Sequence, residues 1–297
     1  MATAVTVIRR RTETQQRINA IVGYLMIAPP LLIMVFLIFY PALQAAVRTI
    51  FIENETTGAS TFSLERYTTF FQSTIAVNNL LYTLVISVIT IAILFVLCFP
   101  ISIYLRFSKT RVAGAVQILV LFPLFVPGII LSFSLIRFLG TRGTVDTVLA
   151  LFGIRNYVTP YLKPSGIIIG LVWEQIPFTT LVLTAGLRAV DDALIESARD
   201  VGAGNWTIFS RILLPLIQRP ALIVFCLNFI GVFGAYTIPY LLGPAAPQMM
   251  GVYMQQTYSD YLDKPGAETQ AVITFLFSAV VGILYVRTVA MQRGERK

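Results

Sequence analysis

"ALIESARDVGAGNWTIFSRILLPL", residues Ala193 to Leu216, carries two acids, two arginines, two glycines, an Asn and a Trp between two long apolar runs. It is too polar to lie in lipid and too regular to be a floppy loop. Ala193, Leu194, Ala198, Val201 and Ala203 recur at loosely helical spacing, and Asp191 or Asp192 is placed to cap such a helix. Gly202 and Gly204 interrupt it, and "NWTIFSRILLP" restarts a helix with Trp206, Phe209, Ile212 and Leu213 on one apolar side. Two short helices meeting at a glycine turn predict a compact knob over 189–218. A water-exposed knob on a chain of this kind is a docking element for another protein.

Around that stretch the chain is apolar. Of 297 residues, 57% are hydrophobic and 12% charged, with mean hydropathy +0.79. Soluble domains carry about 25% charged residues, so the composition predicts an all-α integral membrane protein. Cys98 and Cys226 both lie in apolar runs and read as inert core thiols. With no His and no cysteine pair at ligand spacing, there is little to build a transition-metal site from. No G-x-x-x-x-G-K-[ST] occurs, so the chain carries no P-loop ATPase. The basic start is followed by an apolar run too long for a secretory h-region, and reads as an uncleaved first span.

A bilayer core needs about 20 apolar helical residues. Six stretches qualify, near 20–42, 78–105, 113–139, 164–188, 219–242 and 268–289, and together they predict one transmembrane domain over 1–297. Pro29, Pro30, Pro123 and Pro127 are expected to kink their spans without ending them. Arg137 and Glu174 intrude on the third and fourth. Fifteen of the 22 Lys and Arg residues fall in the two tails, in 106–111 and around the knob, which predicts that both termini and the knob are cytoplasmic. The net charge of +8 is then mostly a topology signal; it requires no nucleic acid, and the basic ends suit anionic lipid.

The knob resembles a cytoplasmic signature of the permease subunits of bacterial binding-protein-dependent ABC importers, the EAA loop: E-A-A, three residues, G, nine residues, I-x-L-P. Here it reads Glu196-Ser197-Ala198, Gly202 and Ile212-Leu213-Leu214-Pro215, with Ser197 the one departure. The segment also falls where that family places it, before the last two spans of a six-span core. "AGLRAVDDALIESARDVGA", the "IPF" at 176–178 and the "IPYLLGP" at 238–244 are similar to the polyamine-type permeases, whose relatives include iron, phosphonate and opine systems. Sugar-type permeases usually place Asp directly before the Gly, where this chain has Val201.

The resemblance implies a type I permease core forming half of a path, with no cofactor of its own. ATP and Mg would be bound by a separate ATPase dimer. A second permease subunit, expected to be a homologous partner, and an extracytoplasmic solute-binding protein would complete the assembly. Glu196, Ala198, Arg199, Asp200, Gly202, Ala203 and Gly204 are the expected ATPase-coupling residues. Glu174 is the acid placed well within a span, and such a residue is a functional candidate by default. With Trp173 beside it, it suits a path for a cation. Alternatively it pairs with Arg137 or caps backbone freed near Pro177. Asn228, Phe233 and Tyr236 are further path candidates. The "GIIIG" at 166–170 reads as chance in preference to a packing face. An ion-driven secondary transporter would show repeats and several intramembrane charges, and an intramembrane enzyme would show paired catalytic groups; neither pattern is visible.

Overall fold

In lipid a helix satisfies its backbone internally, so the apolar runs fold as helices. The computed structural model describes residues 19–53 and 60–294. Among these, five helices are long and apolar enough to cross a bilayer, and the count is six when one bent pair is taken as a single broken span. The basic residues of the extreme tails, Arg9, Arg10, Arg11, Arg17, Arg296 and Lys297, lie outside the described residues. Contacts divide the chain into two units at Arg66 and Tyr67.

In the first unit, α1 (Asn19–Ile50) runs past its predicted end near 42. A π-turn at Val35–Phe39 stands two residues before Pro41, and the Tyr40 N–H donates to the Val35 carbonyl. Widening the turn makes room for a proline ring that would otherwise strike the preceding turn. A short antiparallel hairpin follows, β1 (Phe51–Glu53) with β2 (Ser60–Phe62), which the all-helical expectation lacked. Phe51 faces Phe62, with the rings edge to face at 6.1 Å. The hairpin closes on the helix end: Ser63 N–H donates to the Ile50 carbonyl at 3.0 Å, and Arg66 Nη1 to the Arg48 carbonyl at 2.7 Å.

α2 (Glu65–Gln72) leads into the second unit. There α3 (Thr74–Phe107) and α7 (Pro164–Arg188) pack in parallel. Cys98 Sγ approaches the Ile176 carbonyl, Ser102 Oγ donates to that of Thr180, and Arg106 Nε to that of Leu187, so both chains advance together. Between them lie α4 (Arg111–Leu121), a 3-10 turn (Phe122–Phe125), α5 (Gly128–Leu139) and α6 (Thr144–Leu151). The third span is therefore broken, not kinked: Arg111–Phe125 and Gly128–Leu151 meet at 107°. Val126 precedes a proline and is extended (φ −106°, ψ 111°), as the clash with a proline ring demands.

After the knob helix α8 (Asp192–Asp200) comes α9 (Asn205–Phe233), then α10 (Thr237–Leu242), α11 (Met250–Ser259) and α12 (Lys264–Gly294). The fifth span thus begins earlier than 219 and ends before 242. In a continuous helix the Pro239 ring would strike the Ala235 carbonyl. Here the chain unwinds at Gly234 to Tyr236, and that carbonyl turns against Gly251, where a Cβ would stand 2.5 Å away. α3 holds the irregular backbone: Asn79 Oδ1 accepts from Gln248 N–H, and Thr83 Oγ1 from Met250 N–H at 2.8 Å. The "GIIIG" stretch proves to be a packing face. A Cβ on Gly170 would lie 2.7 Å from Ile238 Cγ2, and one on Gly166 2.5 Å from the Pro160 carbonyl. The core between these helices includes Ile86, Leu131, Ile167, Leu171, Val232 and Leu242, and Cys98 and Cys226 are buried.

Candidate functional site

The knob is one short helix leaning on the start of a long one. Asp191 caps α8, its Oδ1 accepting from Ala193 N–H at 3.0 Å. The other end closes in a Schellman motif: Gly202 N–H donates to the Arg199 carbonyl and Ala203 N–H to the Ala198 carbonyl, both at 2.9 Å. That geometry needs a left-handed residue, and Gly202 has φ +82° with open space around it. Within this chain the glycine meets a backbone requirement of the turn. Gly204 then precedes α9 as its N-terminal cap residue.

The expected second short helix does not exist as a separate piece. From Asn205 the helix continues into the fifth span through a π-turn at Phe209–Leu213, two residues before Pro215. Pro220 lies further along, and Gly186 of α7 receives it; a Cβ there would stand 2.7 Å from the Pro220 Cβ.

Ile195, 3% exposed, anchors α8 among Leu187, Val190, Ile208, Leu213 and Ile217, with Ala198 and Ala203 packed alongside. Phe209 reaches Phe99 edge to face at 5.6 Å and carries Trp206 at 5.5 Å. The predicted apolar faces are therefore partly misassigned. Leu194 is exposed, Val201 is 84% exposed and Trp206 75%, while Ile195 and Ile208 take the inward positions. Of the seven expected coupling residues, Ala198 and Ala203 face the cluster; Glu196, Arg199, Asp200, Gly202 and Gly204 face outward. The outward surface thus mixes acids, a base and three large apolar side chains.

Sequence reasoning missed Arg106, counted only as a topology charge. From the end of α3 its guanidinium donates to the carbonyls of Leu187 and Val190, both at 3.1 Å, and pairs with Asp192 at 2.5 Å. A planar fork of donors suits two carbonyls and a carboxylate at once. Arg106 thereby closes the end of α7 and fixes the first turn of α8. Its partners lie more than 80 positions away, so local pattern carries no trace of it.

The path candidates separate. Glu174 does not meet Arg137. Its Oε1 lies 3.2 Å from where a Cβ on Gly128 would be, at the first turn of α5. Arg137 stands nine residues further along that helix, about 13 Å away by helical rise. Trp173 packs edge to face on Phe122 at 6.4 Å. Trp173 and Glu174 therefore fill the break in the third span. Asn228 and Phe233 do not face open space. Asn228 is buried and donates to Thr179 Oγ1 at 3.0 Å, an interhelical bond between α9 and α7. Phe233 is fully buried in a ladder with Phe229 and Phe277 at 5.2 and 6.1 Å. Tyr236 stays exposed, stacked on Tyr240 at 5.3 Å.

The family model described as "Binding-protein-dependent transport system inner membrane component" matches residues 98–293. The chain is 28% identical over 225 residues to the spermidine/putrescine transport system permease protein PotB of Escherichia coli (strain K12), covering 74% of this chain and 80% of that one. It is 25% identical to the sulfoquinovosyl glycerol transport system permease protein SmoG of Agrobacterium fabrum (strain C58 / ATCC 33970), covering 91% of each. Among solved structures, a chain of a bacterial alginate ABC transporter in complex with alginate pentasaccharide-bound periplasmic protein superposes with TM-score 0.75 at 17% identity, over 95% of this chain and 98% of that one.

Proposed function

The chain belongs to the family of binding-protein-dependent transport system inner membrane components, and on that premise we propose the following role for it. It is the permease subunit of an ATP-driven importer, acting over its whole length as one permease domain in the bacterial inner membrane with both termini in the cytoplasm. It encloses half of the solute path against a homologous permease. It takes solute from an extracytoplasmic binding protein and is driven by a separate ATPase dimer that holds ATP and Mg.

The knob carries this reading. Its inner face is locked to two spans by Arg106 and the Ile195 cluster, while Leu194, Val201 and Trp206 stand in water beside Glu196, Arg199 and Asp200. Large apolar side chains mixed with charges on an ordered projection are what a protein-docking surface needs. The solute is a polyamine or a similar small cation. The PotB likeness and the carboxylate of Glu174 in the broken span support this. A carbohydrate-like solute is the second reading, favoured by the full-length likeness to SmoG.

Affinity capture of the tagged permease from membranes should bring down an ATPase chain. Val201→Asp with Trp206→Ala should abolish that capture without changing permease abundance. Proteoliposomes holding the complex should take up labelled 1,4-diaminobutane only with ATP inside the compartment that bears the knob. Capture unaffected by the double variant would sink the docking surface. ATP-dependent uptake of a sugar in place of the diamine would transfer the solute to the second reading.

A further inference from the structure

Where α5 ends at Leu139, beside the start of α7 at Pro164, a cavity of about 440 Å³ opens. The length of α7, from Pro164 to Arg188, separates it from the knob. Phe133, Ile136, Arg137, Thr141 and Tyr161 line it. The backbone beneath is held firmly. The Leu139 carbonyl accepts from the Tyr157 hydroxyl at 3.1 Å and from Thr159 Oγ1 at 2.5 Å, and Gly143 N–H donates to the Gly140 carbonyl at 2.9 Å. The turn leaves no room for a side chain at Gly143, where a Cβ would stand 2.7 Å from the Arg137 and Gly140 carbonyls.

The charge around this cavity is one-sided. Basic residues of a membrane protein gather on one face, here the knob's, yet Arg137, Arg142, Arg155 and Lys163 all fall within 137–163. They are four of the seven Lys and Arg residues outside the tails, 106–111 and the surroundings of the knob. The stretch has one acid, Asp146, whose Oδ2 accepts from the Arg142 backbone N–H at 2.9 Å. None of the four basic side chains makes an ion pair among the described residues. Arg137 suits the dipole in the last turn of α5, but that reason does not extend to the other three. From the cavity α5 turns an apolar ridge outward. Ile129 and Phe133 precede Arg137 at four-residue spacing, on one side of the helix, and are 53% and 58% exposed. On the other side Leu131 and Leu135 pack into the core.

We propose that this cavity binds the headgroup of an anionic phospholipid from the leaflet away from the knob, with Arg137 on the phosphate and one acyl chain along Phe133 and Ile129. A guanidinium fork matches a phosphate, and the cavity lies where the span ends, at the depth of headgroups. The apolar ridge leads from it towards the acyl chains. A zwitterionic lipid offers the same phosphate but brings a further cation among four unpaired ones, so a net negative headgroup is selected. The site goes beyond the transport role and is the same whatever the solute.

The test is binding of phosphatidylglycerol to the assembled, delipidated transporter in detergent, counted by native mass spectrometry. Phosphatidylcholine and free glycerol 3-phosphate are the comparison probes. Phosphatidylglycerol should bind more tightly than phosphatidylcholine, and glycerol 3-phosphate, which has no acyl chain, should not compete. Arg137→Gln should weaken phosphatidylglycerol about fivefold, the effect of one basic residue near an anionic surface, and Arg137→Lys should recover part of it. Phe133→Ser should also weaken it. Arg155→Gln, outside the cavity, should cost less than Arg137→Gln. Arg137 and Phe133 are both exposed, so the variants should fold, and their melting temperatures without added lipid check this. Equal losses in Arg137→Gln and Arg155→Gln would reduce the site to a diffuse field and overturn the proposal. Undiminished binding in Arg137→Gln overturns it too, as does competition by glycerol 3-phosphate, which would make this a site for free anions. Crosslinking from Phe133→Cys to the second permease subunit would show the ridge covered by protein, and would likewise overturn it.

Discussion

Prolines stand in pairs in two spans of the second unit, and the pairs have opposite outcomes. Pro215 and Pro220 lie in α9, which stays helical from Asn205 to Phe233. Pro123 and Pro127 divide the third span into pieces that meet at 107°. Each proline frees a carbonyl and needs room for its ring, so the demand is the same in both. The neighbours differ. In α9 a π-turn widens the helix ahead of Pro215, and Gly186 makes space for Pro220. In the third span Val126 turns extended, and α7 fills the gap with Trp173 and Glu174. A proline in a span reports a demand, and the packing partners decide whether the helix survives it.

The strongest way to break this comparison is to free the continuous arm at its knob. Arg106→Met removes two charge-assisted bonds to carbonyls and the Asp192 pair. A loss of about 3 kcal/mol is expected, with ATP hydrolysis persisting while uptake falls. Thermal unfolding and the ratio of uptake to hydrolysis check it. Next comes Gly186→Ala, which sets a methyl 2.7 Å from the Pro220 Cβ. Overpacking of this kind costs about 1–3 kcal/mol, and Pro220→Ala in the same chain should recover part of it. Strict additivity in that double variant would show that the two do not share a contact.

A smaller effect is expected at the turn. Gly202→Ala should cost about 1 kcal/mol, because φ +82° is left-handed and the surroundings are open. Gly202→Asn should cost less. Equal large losses in both would mean that crowding by a partner, not backbone conformation, selects the glycine. The smallest stability effect belongs to the broken span. Glu174→Gln keeps size and removes charge, so the melting temperature should hold while uptake of a cation falls. A marked drop in melting temperature would make Glu174 part of what keeps the break open, with no role in transport.

Much of the frame was legible because lipid leaves a chain few options: the crossings and the capped, glycine-closed α8 follow from run length and local turn chemistry. What stayed hidden depended on partners distant in sequence. Arg106 looked like one more loop charge until its carbonyl partners were in place. Asn228 and Phe233 sat at a plausible depth for a path, but depth does not reveal which side of a helix its neighbours cover. Gly166 and Gly170 took on meaning only once α10 lay across them. Leu194 and Val201 were assigned inward because a nine-residue helix offers too few turns to tell one face from the next.

The unbroken course of α9 has a mechanical consequence. A stiff rod about 43 Å long, tilted through about 10° about one end, sweeps its other end through about 7 Å. The knob stands at one end of such a rod, and the helix gives way one residue beyond the other, at Gly234. With the pivot at the Gly234 end, the end that moves is the one that carries the knob. The hinge that such a lever needs is already cut at Gly234 to Tyr236, where the rod ends and the chain unwinds.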